Sequence, residues 1–220
     1  MTRSGLRARH AGRRAFARRA QPKNVAALIL AAGKSSRMGS ANKLLALVGG
    51  TPMIARVAEA ARASRARPVV VVTGFEADKV AAALAGMAAQ IVANPDYALG
   101  LSTSLKAGLA ALKDTGVTGA LVLLGDMPHV TAATLDRLIA AFAHSGGRAI
   151  CVPEAEGARG NPVLWPADLF AELAALTGDT GARDLLAGHA DRIVRVAAPA
   201  REILADVDTP EDLARAREGP

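Results

Sequence analysis

From residue 24 onward, short wholly apolar runs alternate with stretches whose apolar residues recur every three or four positions. Residues 25–32 are apolar throughout and stop at Gly33, the pattern of a central strand covered on both faces. Residues 68–73, with four consecutive valines, predict a second strand. Residues 90–93, 120–124, 149–152 and 192–196 predict further strands, whereas 44–48 fits either a short strand or a loop. Helical spacing falls on 53–64 after Pro52, on 78–84, and on 103–113 with Ser102 as its cap. It recurs on 132–144, where Thr131 caps the start and Gly146-Gly147 ends the run, and again on 167–176 and 182–187. Thr209-Pro210-Glu211-Asp212 opens a last helix with proline in its first turn.

Strands alternating with helices predict an α/β chain, a three-layer sandwich around a mainly parallel sheet. Its ligand site is expected at the carboxyl ends of the strands, where the strand order reverses. Residues 162–165 break the alternation, which suits an antiparallel strand beside a second-substrate pocket.

Composition refines this picture at three points. The chain has 220 residues, enough for one domain with a sizeable core. Its net charge of +7 is concentrated in residues 1–23, which hold eight basic side chains and no acidic one. The expected organisation is a basic tail over 1–23 and a single domain over 24–220. Because the remainder is close to neutral, the fold itself carries no nucleic-acid or membrane signature. Deleting residues 1–23 is expected to leave turnover and thermal midpoint unchanged, and a large loss of either would make the tail part of the working protein. The single cysteine, Cys151, follows an apolar pair and reads as a buried thiol rather than a nucleophile. No apolar run reaches the roughly 20 residues of a membrane span, and the expectation is a soluble cytoplasmic protein.

Three segments carry chemistry. The first is Leu30-Ala31-Ala32-Gly33-Lys34-Ser35-Ser36-Arg37-Met38-Gly39, followed by Lys43. A buried strand runs there into a turn of Gly, Ser and basic residues, whose N–H groups suit an anion. Arg37 and Lys43 are the candidates for neutralising a polyphosphate, Arg through its fork and Lys as a point charge. Neither GxxxxGK[ST] nor GxGxxG spacing is present, so this is a phosphate loop of another kind. The second segment is Gly125-Asp126-Met127-Pro128, where Asp126 at a strand end either holds a hard cation or caps a turn. The third is 205–212, whose Asp206 and Asp208 alternate and, joined with Asp126, offer an oxygen-rich magnesium site. Glu211 and Asp212 suit a helix first turn. The four histidines lack ligand spacing, although His129 follows the Asp126 segment.

The pattern LAAGxSxRMG with a following lysine, GDMP, and the ending DVDTPEDL resembles the molybdenum-cofactor nucleotidyltransferases, the MobA-like group, from Val25 to Arg217. Residues 94–100 with 102–105, and Gly178-Asp179-Thr180-Gly181-Ala182-Arg183, are similar to that family as well. Within it, Leu30-Ala31-Ala32-Gly33 is similar to the cytidylyltransferase branch, since the guanylyl branch usually has Leu-Ala-Gly-Gly there. The resemblance implies a Rossmann-like nucleotide-diphospho-sugar transferase fold. It also implies a Mg²⁺-dependent transfer (Mn²⁺ being the alternative) of CMP from CTP to the terminal phosphate of the molybdopterin-bound molybdenum cofactor.

In that scheme Arg37, Lys43 and Asp126 are catalytic, and Asp126 and Asp208 hold the metal. Leu30, Ala31, Ala32, Gly33, Ser35, Thr73, Asn94 and Ser104 line the nucleotide. Asn161, Gly181 and Arg183 meet the pterin side, with Asn161 standing where the family often has His. A molybdenum hydroxylase would receive the product. The competing readings are a GTP-using or other nucleotidyltransferase, a carrier that inserts the finished cofactor, and a reductase on the same fold.

Overall fold

The structure, a computed structural model, describes residues 24–34, 42–178 and 182–218. Its strands are β1 (Val25–Ala31), β2 (Leu47–Val48), β3 (Thr51–Pro52), β4 (Val69–Thr73), β5 (Gln90–Ala93), β6 (Gly119–Leu124), β7 (Ile150–Ala155), β8 (Ala158–Arg159), β9 (Val163–Pro166) and β10 (Ile193–Ala197). The main sheet runs β10-β7-β9-β6-β1-β4-β5, with β8 paired to β7 and with β2 and β3 forming a separate hairpin. The β6-β1-β4-β5 core and the β10-β7 pair are parallel. β9 runs antiparallel between β6 and β7, so the break at residues 162–165 is the reversed strand.

The helices are α1 (Met53–Ala63), α2 (Ala77–Ala83), α3 (Leu101–Ala111), α4 (Ala132–His144), α5 (Phe170–Ala175), α6 (Arg183–Gly188), α7 (Ala200–Leu204) and α8 (Pro210–Arg217). All seven residues of β1 are buried, and their alternation divides them between two cores. Ala27, Ile29 and Ala31 face one core with Ile54 and Val57 of α1, Val80 of α2, and Leu135, Leu138 and Phe142 of α4. Ala26, Leu28 and Leu30 face the other, with Leu105 and Leu109 of α3 and Leu173 of α5. This is the three-layer sandwich. The small residues have a use here: a Cβ on Gly108 would stand 2.2 Å from Leu28 Cδ1, so glycine lets α3 lie against β1.

Several boundaries differ from the sequence expectation. Helix α3 begins at Leu101, and its N-cap is Gly100 with no side-chain cap bond, which places Ser102 inside the first turn. Gly100 has φ +116 and ψ 168, a region essentially reserved for glycine, and that backbone turns the chain from a 3-10 turn into α3. The 44–48 segment divides into a 3-10 turn, Lys43–Leu45, and β2, and 167–176 into a 3-10 turn and α5. β3, β8 and α7 are too short to leave a periodic signal. Thr131 does cap α4, accepting from Thr134 N, and Thr209 caps α8 in a capping box with Asp212. Among the described residues no helix is long and apolar enough to cross a membrane.

Cys151 is fully buried on β7, and burial pushes its thiol up to about 12. At pH 8 only about one such thiol in 10⁴ is ionised. Ellman's reagent is therefore expected to find no thiol in the native protein and one per chain after denaturation. Fast native labelling would contradict the buried placement.

Candidate active site

β4 and β5 lie on one side of β1, and β6, the next strand of the main sheet along the chain, lies on the other. The strand order therefore reverses at β1, and a crevice opens at the carboxyl ends of β1 and β6. A cleft of about 350 Å³ occupies that place. Leu30, Ala32 and Gly33 form its β1 edge, Leu124 and Asp126 its β6 edge, and Lys43, Leu44 and Asp208 one wall. Tyr97, Ala98, Gly100, Leu101 and Ser104 form another wall. Gly125 N donates to the Leu30 carbonyl at 2.9 Å, which joins the two strand ends. Among the described residues nothing lies within 4 Å of where a Cβ on Gly33 would stand, which leaves the backbone there room for a ligand.

The charged centre is assembled from three distant parts of the chain. Lys43 Nζ donates to Asp126 Oδ2 at 2.7 Å and to Asp208 Oδ1 at 2.6 Å. Lys43 is carried by a 3-10 turn whose cap, Asn42, accepts from Leu44 N and donates to the Phe75 carbonyl, while Leu44 is buried in the core. Asp126 follows the last residues of β6. Asp208 is brought to it by a backbone bond, Val207 N to the Asp126 carbonyl at 3.0 Å, and by burial of Val207 with Val48, Met53 and Leu213. Asp208 N also donates to the Asp212 carboxylate, so the capping of α8 helps to set the loop.

Electrostatics follow from burial. Burial pushes the Asp126 carboxyl above the ordinary aspartate range, with Lys43 opposing. Burial works against the charge on Lys43, but the Asp126 and Asp208 carboxylates outweigh it and hold its pKa above the ordinary lysine value. Asp126 Oδ1 is buried and meets no hydrogen-bond donor among the described residues. That orphaned oxygen, beside a second carboxylate in an open cleft, suits a hard cation that takes its other ligands from phosphate and water. Among the described residues no group of three or more His, Cys, Asp or Glu forms a metal cage.

The far wall is held by Asn94. Its amide nitrogen donates to Thr103 Oγ1 at 2.9 Å and to Ser104 Oγ at 3.0 Å, and its oxygen accepts from Asp96 N at 3.0 Å. The side chain thus ties the end of β5 to the first turn of α3. Asn94 and Thr73 are buried and do not line the cleft, and the Ala31 side chain lies in the core. Strand alternation turns the Ala31 side chain inward, so a ligand in the cleft meets only its backbone. Leu30, Ala32, Gly33, Lys43, Ser104, Asp126 and Asp208 all line the cleft. Ser35, Arg37, Gly181 and the tail lie outside the described residues, as does the Arg183 side chain.

Asn161 lies instead on a second, smaller cavity of about 120 Å³, walled by apolar side chains that include Trp165 and Leu173. The two cavities share Leu30, Leu101 and Leu124. Asp206 is exposed and does not line the cleft. His129 sits against Arg201 and does not line the cleft, and burial together with Arg201 and Arg56 lowers its pKa. Leu44, Leu101 and Leu124 were not foreseen. Leu124 was within reach of the sequence, since it ends the strand next to β1.

Known proteins resemble this chain in sequence and in fold. Residues 27–194 match the MobA-like NTP transferase domain. The bifunctional protein GlmU of Trichlorobacter lovleyi is 43% identical over 123 residues, covering 55% of this chain and 26% of that protein. GlmU of Chromobacterium violaceum is 44% identical over 125 residues, 56% of this chain and again 26% of the relative. The chain thus spans about a quarter of the length of these curated relatives.

Among solved structures, the homolog of Mycobacterium tuberculosis Rv0371c from Mycobacterium sp. strain JC1 is 30% identical, with a TM-score of 0.75 over 87% of this chain and 96% of its own. Rv0371c of Mycobacterium tuberculosis H37Rv is 28% identical in its complex with manganese, with a TM-score of 0.75 over 90% of this chain and 100% of its own. The CMP-2-keto-3-deoxy-manno-octonic acid synthetase, 18% identical with a TM-score of 0.67 over 89% of this chain and 97% of its own, shares the fold. The sheet order, the cleft at its switch point and the match over most of the chain lead to one assignment: this protein belongs to the family of MobA-like NTP transferase domains.

Proposed function

We propose that this chain is a divalent-metal-dependent nucleotidyltransferase that moves CMP from CTP to the terminal phosphate of molybdopterin-bound molybdenum cofactor. The observation that carries the reading is the meeting of Lys43, Asp126 and Asp208 at the mouth of the β1–β6 cleft. Two aspartates beside an open Gly33 backbone suit a triphosphate and its cation, and the manganese complex of Rv0371c supports a divalent ion. Leu30-Ala31-Ala32-Gly33, with alanine where the guanylyl branch has its first glycine, supports CTP.

In this reading Asp126 and Asp208 hold Mg²⁺ or Mn²⁺. Bound there, the ion supplies charge stabilisation on phosphate oxygens. Lys43 and Arg37 neutralise the β- and γ-phosphates, and Gly33 and Ser104 border the nucleotide. An oxygen of the acceptor's phosphate attacks the α-phosphorus, the bond to the β-phosphate oxygen breaks, and pyrophosphate leaves. The attacking oxygen is already anionic, so no protein base is needed, and catalysis rests on alignment and charge neutralisation. Asn161, Gly181 and Arg183 are assigned to the acceptor side, with a molybdenum hydroxylase as the recipient of the product.

The test is pyrophosphate release from CTP and from GTP with Mg²⁺ and purified molybdenum cofactor. Release with CTP alone supports the cytidylyl reading, and preference for GTP moves the chain to the guanylyl branch. Tight cofactor binding without release from either nucleotide favours a carrier.

A further inference from the structure

The Lys43 ammonium stands where a cation serving both aspartates belongs, 2.7 Å from Asp126 Oδ2 and 2.6 Å from Asp208 Oδ1. Its side chain is only 12% exposed, and its backbone is pinned by the Asn42 cap and by the buried Leu44. The turn that carries it is therefore fixed, while the four-carbon stem can swing within the cleft that it lines. An ammonium and a divalent ion cannot both occupy that place, because they repel each other and compete for the same oxygens. Only the divalent ion would also serve the orphaned Asp126 Oδ1, which faces no donor among the described residues.

We propose that Lys43 is a built-in counter-cation that keeps the metal seat closed until a nucleoside triphosphate draws its ammonium onto phosphate. Metal and nucleotide then bind with strong positive coupling, each raising the affinity of the other by the same factor. The inference rests on the reading of Asp126 and Asp208 as metal ligands. Its consequence is that the protein takes up little free metal before its nucleotide, and that Lys43 is released to phosphate in the same event that fills the seat.

The test is direct Mn²⁺ binding, read from the electron paramagnetic resonance signal of free Mn²⁺, for the parent chain, Lys43→Met, and the double variant Lys43→Met with Asp208→Asn. Each is measured alone and with a non-transferable α,β-methylene analogue of CTP. Met keeps the length of the stem and removes its charge; Lys43→Gln serves as a second version, and circular dichroism confirms folding. Lys43→Met is expected to bind Mn²⁺ alone on the order of tenfold more tightly than the parent. The analogue should then improve Mn²⁺ affinity less in Lys43→Met than in the parent, and Asp208→Asn should erase the gain. Equal Mn²⁺ affinity of parent and Lys43→Met without nucleotide overturns the proposal. If the parent still releases pyrophosphate in a metal-dependent way, the functional reading survives that result. Absence of Mn²⁺ binding in every protein, with and without the analogue, overturns both.

Discussion

Replacing Asp126 with alanine is expected to lower metal-dependent pyrophosphate release by at least about a hundredfold while leaving the fold intact. The size of the loss follows from the chemistry. One well-placed group that stabilises developing charge is worth about 10²–10³ in turnover, and Asp126 would be one of two carboxylates doing so. The survival of the fold follows from location. Asp126 lies beyond the paired residues of β6, with its side chain in the cleft and one carboxylate oxygen already without a donor among the described residues. Its carbonyl, which receives Val207 N, is untouched by the substitution. Lys43 keeps Asp208 as a partner. Circular dichroism and the thermal midpoint check the fold, and a pyrophosphate assay checks turnover. Full activity in Asp126→Ala would remove this residue from the metal site.

The second large effect is expected at Gly160. A Cβ there would stand 2.2 Å from the carbonyl oxygen of Ile203, and backbone cannot yield as a flexible side chain would. Asn161 N donates to that same carbonyl at 2.9 Å. Gly160→Ala must therefore push the β8–β9 connection away from the end of α7 and break that bond. Overpacking of this kind typically costs 1–3 kcal/mol, and a value of about 3 kcal/mol is expected because both sides of the clash are main chain. Activity should fall as well, since residue 203 leads within five positions to Asp208. Urea unfolding and kcat measure the two effects. Gly188→Ala is the control, because among the described residues nothing lies within 4 Å of its Cβ position. A Gly160→Ala protein as stable and active as that control would contradict the packing described.

Both effects show how far the sequence could be read. The unbroken apolar run of β1 announced a strand buried on both faces, and its glycine-rich exit announced the ligand side of the sheet. Thr131 and Thr209 announced two helix starts, because capping is a local interaction over three residues. Ser102 misled for the same reason. The start of α3 is set by the backbone of Gly100 and by Asn94 reaching across from β5, neither of which is a capping signal in 102–105.

The two carboxylates were expected together from their motifs, but the contacts that join them leave no trace in the sequence. Asp126 and Asp208 are 82 positions apart, joined by one backbone bond and by the burial of Val207. The alternation of Asp206 and Asp208 suggested one shared face, yet the loop leaves Asp206 exposed. Strand alternation likewise turns the Ala31 side chain into the core, although the signature that contains it is read as a nucleotide loop. Lys43 was expected on phosphate, and its position between the two aspartates is a tertiary fact with no sequence signal.

The most direct measurement is the fate of label from [α-³²P]CTP incubated with the protein, Mg²⁺ and molybdenum cofactor. Nucleotidyl transfer predicts that the label moves to the cofactor in step with unlabelled pyrophosphate, and that Asp126→Ala lowers both by at least about a hundredfold. Label that stays on CTP, or that is released as free CMP whether or not cofactor is present, would contradict the account.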